Sequence, residues 1–119
     1  MSRILVVDDE PTQRSILRRI FERAGHEVAD AGDGAAALQA VGKSAPDLVV
    51  TDMMMPVMGG ADLIQRLRCD PATAGIPILA ASGDPHLAAG ADAVIAKPYS
   101  WRDLVEVADA LLREGRNLR

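Results

Sequence analysis

A doubly wound α/β sandwich on a five-stranded parallel sheet is the fold class this sequence predicts, and three observations predict it. Short apolar runs of strand length recur five times, around Ile4–Val7, His26–Ala31, Leu48–Thr51, Ile76–Ala81 and Ala93–Ala96. Stretches of helical period lie between most of them, and strands alternating with helices build parallel sheets through right-handed crossovers. The middle run, Leu48-Val49-Val50-Thr51, is almost wholly apolar and β-branched, the habit of a strand covered on both faces.

The elements follow in order. Ile4 to Val7 is the first strand, and it runs into Asp8-Asp9-Glu10. Pro11 suits the first turn of a helix, with acids at its amino end where negative charge is favoured. Ile16, Leu17, Ile20, Phe21 and Ala24 recur at helical spacing and are expected inward, with Gly25 as the carboxyl-terminal cap. His26 to Ala31 alternates loosely and predicts a strand with one wet face. Asp33-Gly34 opens an Ala-rich helix to Gly42, and Pro46 precedes the third strand. Met58-Gly59-Gly60 predicts a turn. Leu63, Ile64 and Leu67 then mark a short helix to Cys69, stopped by Asp70-Pro71. Ile76 to Ala81 is the fourth strand, with Pro77 near its start, and Ala93 to Ala96 is the fifth. Ser100 caps a last helix, with Asp103 three residues on, and Leu104, Val107, Ala108, Leu111 and Leu112 face inward.

With 119 residues the chain is one domain's worth. Hydrophobic residues at 49% and charged residues at 25% are an ordinary globular balance. The net charge is −4 and no Lys/Arg run exists, which argues against nucleic-acid binding by this chain alone. The single cysteine, Cys69, has no internal disulfide partner, in keeping with a cytoplasmic location. No signal peptide is evident, and no apolar run approaches the roughly 18 residues of a membrane span, so no membrane partner is expected.

The chemistry sits at strand ends. The flavodoxin-like order 2-1-3-4-5 sets strands one and three side by side, and ligands bind at that switch point. Asp8 and Asp9 end strand one, Asp52 ends strand three, Ser82 strand four and Lys97 strand five. Singly, each has a commonplace role: Asp8-Asp9 a capping pair, Asp52 a turn residue, Lys97 a solvated lysine. Five such residues at one sheet edge are another matter. Three clustered carboxylates repel unless a cation joins them, and an all-oxygen set suits Mg²⁺. Three Asp, one Mg²⁺ and one Lys sum to zero, a site ready for a phosphoryl group. A carboxylate nucleophile then gives an aspartyl phosphate.

The chain resembles the receiver domain of two-component response regulators. The resemblance rests on Val6-Val7-Asp8-Asp9-Glu10-Pro11, Asp52 with Met55-Pro56-Val57-Met58-Gly59-Gly60, Ser82-Gly83, and Lys97-Pro98-Tyr99. It implies that Asp52 is the phosphoacceptor. It implies Mg²⁺ held by Asp9, Asp8, Asp52 and the backbone carbonyl of Met54. By the same resemblance Ser82 is the switch hydroxyl, Lys97 contacts the phosphoryl group, and Pro98 follows a cis bond. The implied donor is a phosphohistidine on a sensor histidine kinase or phosphotransfer protein, and the receiver catalyses its own phosphorylation and slow dephosphorylation. Residues 1–114 would be the receiver, and 115–119 a tail or the start of a linker to an output domain, with an output domain or a target protein as the possible downstream partner. Phosphorylation-independent binding by the same fold is the alternative.

Rival families fit less well. A flavodoxin needs hydroxyl or glycine donors after strand one, where acids stand here. A haloacid-dehalogenase-type phosphatase carries its nucleophile on the first strand and a second Asp two residues on; two residues beyond Asp52 stands Met54. Two features depart from the receiver pattern. Val94 occupies the place of the usual switch aromatic, three residues before Lys97. Gly83 to Asp92 leaves ten residues for the fourth crossover, so its helix is expected shortened or missing.

Overall fold

The structure, a computed structural model of the chain, describes residues 2–55, 58–84 and 88–115. Pro56, Val57, Pro85 and residues 116–119, on which parts of the sequence reading fall, lie outside the described residues. Five parallel strands form one sheet in the order β2-β1-β3-β4-β5: β1 Arg3–Val7, β2 Glu27–Ala31, β3 Leu48–Asp52, β4 Ile78–Ser82 and β5 Ala93–Ala96. Four helices are described: α1 Pro11–Arg23, α2 Gly34–Lys43, α3 Gly60–Cys69 and α4 Trp101–Glu114. This is the predicted fold class and strand order.

Three of the four described helices start on a side-chain cap, and α3 follows Gly59 without one. The Glu10 carboxylate accepts from Thr12 N at 2.6 Å, and Pro11 takes the first turn of α1, where its missing donor costs nothing. Asp33 caps α2 through Ala36 N, and Ser100 caps α4 through Asp103 N. Gly25, at φ 94°, turns the chain out of α1 in a conformation that glycine alone adopts freely.

The central strands alternate inward on both faces, which divides the core in two. Leu5, Val7, Val49, Ile78 and Ala80 meet α2 and α3 through Ala37, Val41, Leu63, Ile64 and Leu67. Ile4, Val6, Leu48, Val50 and Leu79 meet α1 and α4 through Leu17, Phe21, Leu104 and Ala108. Ile16, 47% exposed, and Ala24, also exposed, depart from the inward set expected for α1. β4 begins two residues later than the apolar run, because Pro77 has no N–H for the ladder; its carbonyl still accepts from Val49 N.

Among the described residues no helix joins β4 to β5. Arg68 ties that connection down. It donates to the carbonyls of Ala74, Ile76 and Gly90, and pairs with Asp92 at 2.6 Å. Ala88 is buried in the α2/α3 core beside Ile64 and Leu67, while Val94 on β5 stays 38% exposed. No helix among the described residues is long and apolar enough to cross a membrane.

Candidate functional site

Register decides what meets at the carboxyl edge of the sheet. Val7 pairs with Thr51, so Asp8, one residue on, stands beside Asp52. Asp52 pairs with Ala81 and Ala81 with Ile95, so the chain beyond β5 brings Lys97 over the same edge. The side chains complete what the register begins. Carboxylate oxygens of Asp8, Asp9 and Asp52 all lie within 4.8 Å of one another. Lys97 Nζ donates to Asp52 Oδ1 at 2.8 Å, and Met53 N donates to the same oxygen at 2.8 Å. These four residues, with Glu10, Gln13, Pro98 and Tyr99, line a cleft of about 550 Å³.

The three acids differ in setting. Asp8 is buried, and Asp9 is exposed. Burial raises the Asp8 pKa above its ordinary value; the charges of Asp52 and Asp9 push the same way, against a 2.9 Å bond from Glu10 N and the attraction of Lys97. For Lys97 burial works against the charge, yet the hydrogen bond from its ammonium to Asp52 and the charges of Asp52 and Asp8 outweigh it, so its pKa is raised. Burial also raises the pKa of the Tyr99 phenol. A dense patch of negative charge with one lysine beside it and only oxygen donors fits a small hard cation.

The loop after β3 is shaped around glycines. A Cβ on Gly60 would lie 2.5 Å from the Asp52 carbonyl oxygen and 2.8 Å from Met53 Cα, so only glycine lets α3 start so close beneath the acid. Gly34 at the start of α2 meets Met58 in the same way, and its N–H donates to the Met58 carbonyl at 3.1 Å. The Met54 side chain is 72% exposed at the start of this loop.

Ser82 is placed differently. It is buried at the end of β4, and its hydroxyl donates to the Asp84 carbonyl at 2.7 Å and accepts from Asp84 N at 3.0 Å. The hydroxyl is engaged in its own turn, and Ser82 does not line the cleft. The Lys97–Pro98 peptide is cis. Sequence reasoning missed Gln13, whose amide reaches the Tyr99 hydroxyl at 3.5 Å across the cleft wall, and the packing role of Gly60. Gln13 carries no local sequence signal; its place follows from tertiary packing of α1 against the chain after β5.

Residues 4–109 match the family described as response regulator receiver domain. The DNA-binding response regulator MtrA of Mycolicibacterium smegmatis is 39% identical over 122 residues, which cover 97% of this chain and 52% of that protein. The transcriptional activator protein PfeR of Pseudomonas aeruginosa is 38% identical over 119 residues, covering 96% of this chain and 39% of its own length. The chain thus spans about half, or less, of the curated relatives it matches. Among solved structures, the response regulator TrrA of Thermotoga maritima in complex with Mg²⁺–BeF has a TM-score of 0.85 at 29% identity, covering 93% of this chain and 99% of that one. The chemotaxis response regulator CheY4 of Vibrio cholerae has a TM-score of 0.87 at 28% identity, covering 93% and 98%.

Proposed function

The chain belongs to the receiver-domain family of two-component response regulators, and from that premise we propose that Asp52 is its phosphoacceptor. The observation that carries the reading is the Asp52 carboxylate, bound by Lys97 and faced by Asp8 and Asp9. Asp8, Asp9, Asp52 and the Met54 carbonyl would hold Mg²⁺, as the Thermotoga relative holds Mg²⁺ with a beryllofluoride group. That ion would supply charge neutralisation for the clustered acids and the incoming phosphoryl oxygens.

The chain's own groups do the rest. The Asp52 oxygen attacks phosphorus; the phosphorus–nitrogen bond of a phosphohistidine breaks, and the histidine leaves as neutral imidazole, its other nitrogen already protonated. Lys97 leaves its bond to Asp52 and follows the negative charge onto the phosphoryl oxygens. Ser82 exchanges its Asp84 partner for a phosphoryl oxygen, which couples the β4–β5 connection to the state of Asp52. Because positioning and charge do the catalysis, the domain catalyses its own phosphorylation and slow dephosphorylation. The donor is a sensor histidine kinase or a histidine phosphotransfer protein. Residues 1–114 form the receiver, and 115–119 a tail or the start of a linker to an output domain.

Acetyl phosphate with Mg²⁺ tests this directly. Intact-protein mass should gain one phosphoryl group, lost with Asp52→Asn or on adding a chelator. Full-stoichiometry labelling of Asp52→Asn sinks the assignment. No labelling of the wild type without a kinase sinks the self-catalysis.

A further inference from the structure

The acid pair that ends β1 sits on three successive peptide groups, and each of them is held. Asp8 N donates to the Ala31 carbonyl at 3.1 Å, and Glu10 N donates to the Asp8 carboxylate at 2.9 Å. The peptide between these two joins Asp8 to Asp9, and a side chain holds it. Arg14 Nη1 donates to the Asp8 carbonyl at 2.8 Å. The Asp9 carboxylate is exposed and, among the described residues, accepts no hydrogen bond. Its direction is therefore set by the backbone that Arg14 fixes.

The surroundings of Arg14 aim it at that carbonyl. Arg14 does not line the cleft, so it reaches the acids only through their backbone. Its side chain is 24% exposed, with Nε 4.0 Å from Asp30 Oδ1, while Arg18 holds the other oxygen of Asp30 at 3.0 Å. Gly32 leaves the guanidinium its space. A Cβ on Gly32 would lie 3.2 Å from Arg14 Nη1, although Gly32 is not at a left-handed φ. The arginine, and not the backbone, accounts for glycine at this position.

We propose that Arg14 is a positioning residue for the divalent-cation site: through the Asp8 carbonyl it fixes the Asp8–Asp9 peptide and with it the Asp9 carboxylate. The inference rests on the Mg²⁺ reading of Asp8, Asp9 and Asp52, whose carboxylate oxygens lie within 4.8 Å of one another. Groups that orient metal ligands from behind typically carry about ten- to a hundredfold of the affinity. Charge alone predicts the opposite sign. The guanidinium is a cation, and removing a cation beside a Mg²⁺ site would tighten binding. The sign of the effect thus separates position from charge.

Titration calorimetry of the whole chain with MgCl₂ alone, at pH 7 and without a phosphodonor, tests it. Arg14→Met should bind Mg²⁺ about tenfold or more weaker than wild type while circular dichroism shows it folded. Arg19→Met takes the same charge from the exposed face of α1 without touching Asp8, and should not weaken binding. An arginine that merely supports the fold would lower the melting temperature and leave the affinity of the folded chain unchanged. If Arg14→Met does not fold, Gly32→Ala takes its place. It keeps the arginine, crowds the guanidinium and should weaken Mg²⁺ binding in the same direction. Binding by the folded variant as tight as wild type or tighter overturns the proposal, and so does an equal loss in Arg19→Met. A wild type that takes up no Mg²⁺ brings down the Mg²⁺ reading itself, and the role of Arg14 with it.

Discussion

Lys97 Nζ and Asp52 Oδ1 stand 2.8 Å apart, although 45 residues separate them in sequence. Lys97 is the cation that the sheet itself delivers to the acidic cluster. Its side chain is 39% exposed and that of Asp52 11%, so solvent screens the pair and its value for stability is small. Its value is positional: it holds a point charge against the carboxylate proposed to take the phosphoryl group.

Lys97→Met should therefore leave the fold intact and slow labelling by acetyl phosphate by about 100-fold, the usual consequence of losing one preorganised donor. The initial rate of phosphoprotein formation, read by intact mass at fixed Mg²⁺, checks it. A rate equal to wild type removes Lys97 from the chemistry.

Within the acidic cluster it is Asp8 whose ionisation works against the fold. Asp8 has a raised folded pKa, so its protonation favours the folded state. That contribution is fully present below the ordinary value of 3.8 and is lost as pH rises through the raised one. At neutral pH the ionised Asp8 is thus a destabilising group. Asp8→Asn keeps an oxygen for the bond from Glu10 N and removes the charge. In chelator at pH 7 it should gain on the order of 1 kcal/mol, several degrees in Tm. The gain should vanish as the pH falls to 3.8 and below. Equal melting temperatures of variant and wild type at pH 7 would show that the carboxylates are not in conflict.

Much of this was legible in the sequence. Apolar runs and helix punctuation gave the elements, three of the four helices beginning at Glu10-Pro11, Asp33 or Ser100, and the flavodoxin-like order then set the strands side by side. Asp8, Asp9, Asp52 and Lys97 were found because strand ends are countable. What stayed hidden depends on tertiary packing. Ile16 shares the period of Leu17 and Phe21 yet faces a groove, because α4 covers the sheet without closing over α1. The direction of the Ser82 hydroxyl is set by the turn at Asp84, which no periodicity reports. Arg68 reads as one more helix-end arginine, and only the fold shows it bonded to three carbonyls.

That arginine supports the second stability prediction. The side chains of Arg68 and Asp92 are 13% and 14% exposed, and Asp92 also accepts from Ile78 N at 2.8 Å. Together they bind the end of α3 to the chain before β5, across a connection with no helix among its described residues. Arg68→Met would strand a carboxylate and several carbonyls. The cost should be about 3–5 kcal/mol, seen as a lower urea midpoint with an unchanged slope. A midpoint within experimental error of wild type would mean that water replaces these bonds at no cost.

The last prediction concerns how the phosphorylated state is transmitted. A receiver ordinarily couples its hydroxyl to an aromatic side chain on the fifth strand. Val94 stands there, 38% exposed on β5. A valine has one stiff torsion and no ring to bury or release, so it cannot register where Ser82 has gone. Switching needs an element with two arrangements that the phosphoryl group weighs differently. The Ser82 turn is such an element. Its hydroxyl donates to the Asp84 carbonyl and accepts from the Asp84 N–H, and the donated bond must be given up before it can donate to a phosphoryl group on Asp52. Gly83 is unhindered, and Gly90 already sits at φ 90°, so the backbone at both ends can change course. Beryllofluoride with Mg²⁺ should therefore change amide exchange most at Gly83, Asp84 and the residues up to Gly90, with β5 and α4 little altered. Protection changes concentrated at Val94, Tyr99 and α4, with the Ser82 to Gly90 stretch unmoved, would show that the signal leaves through the last helix after all.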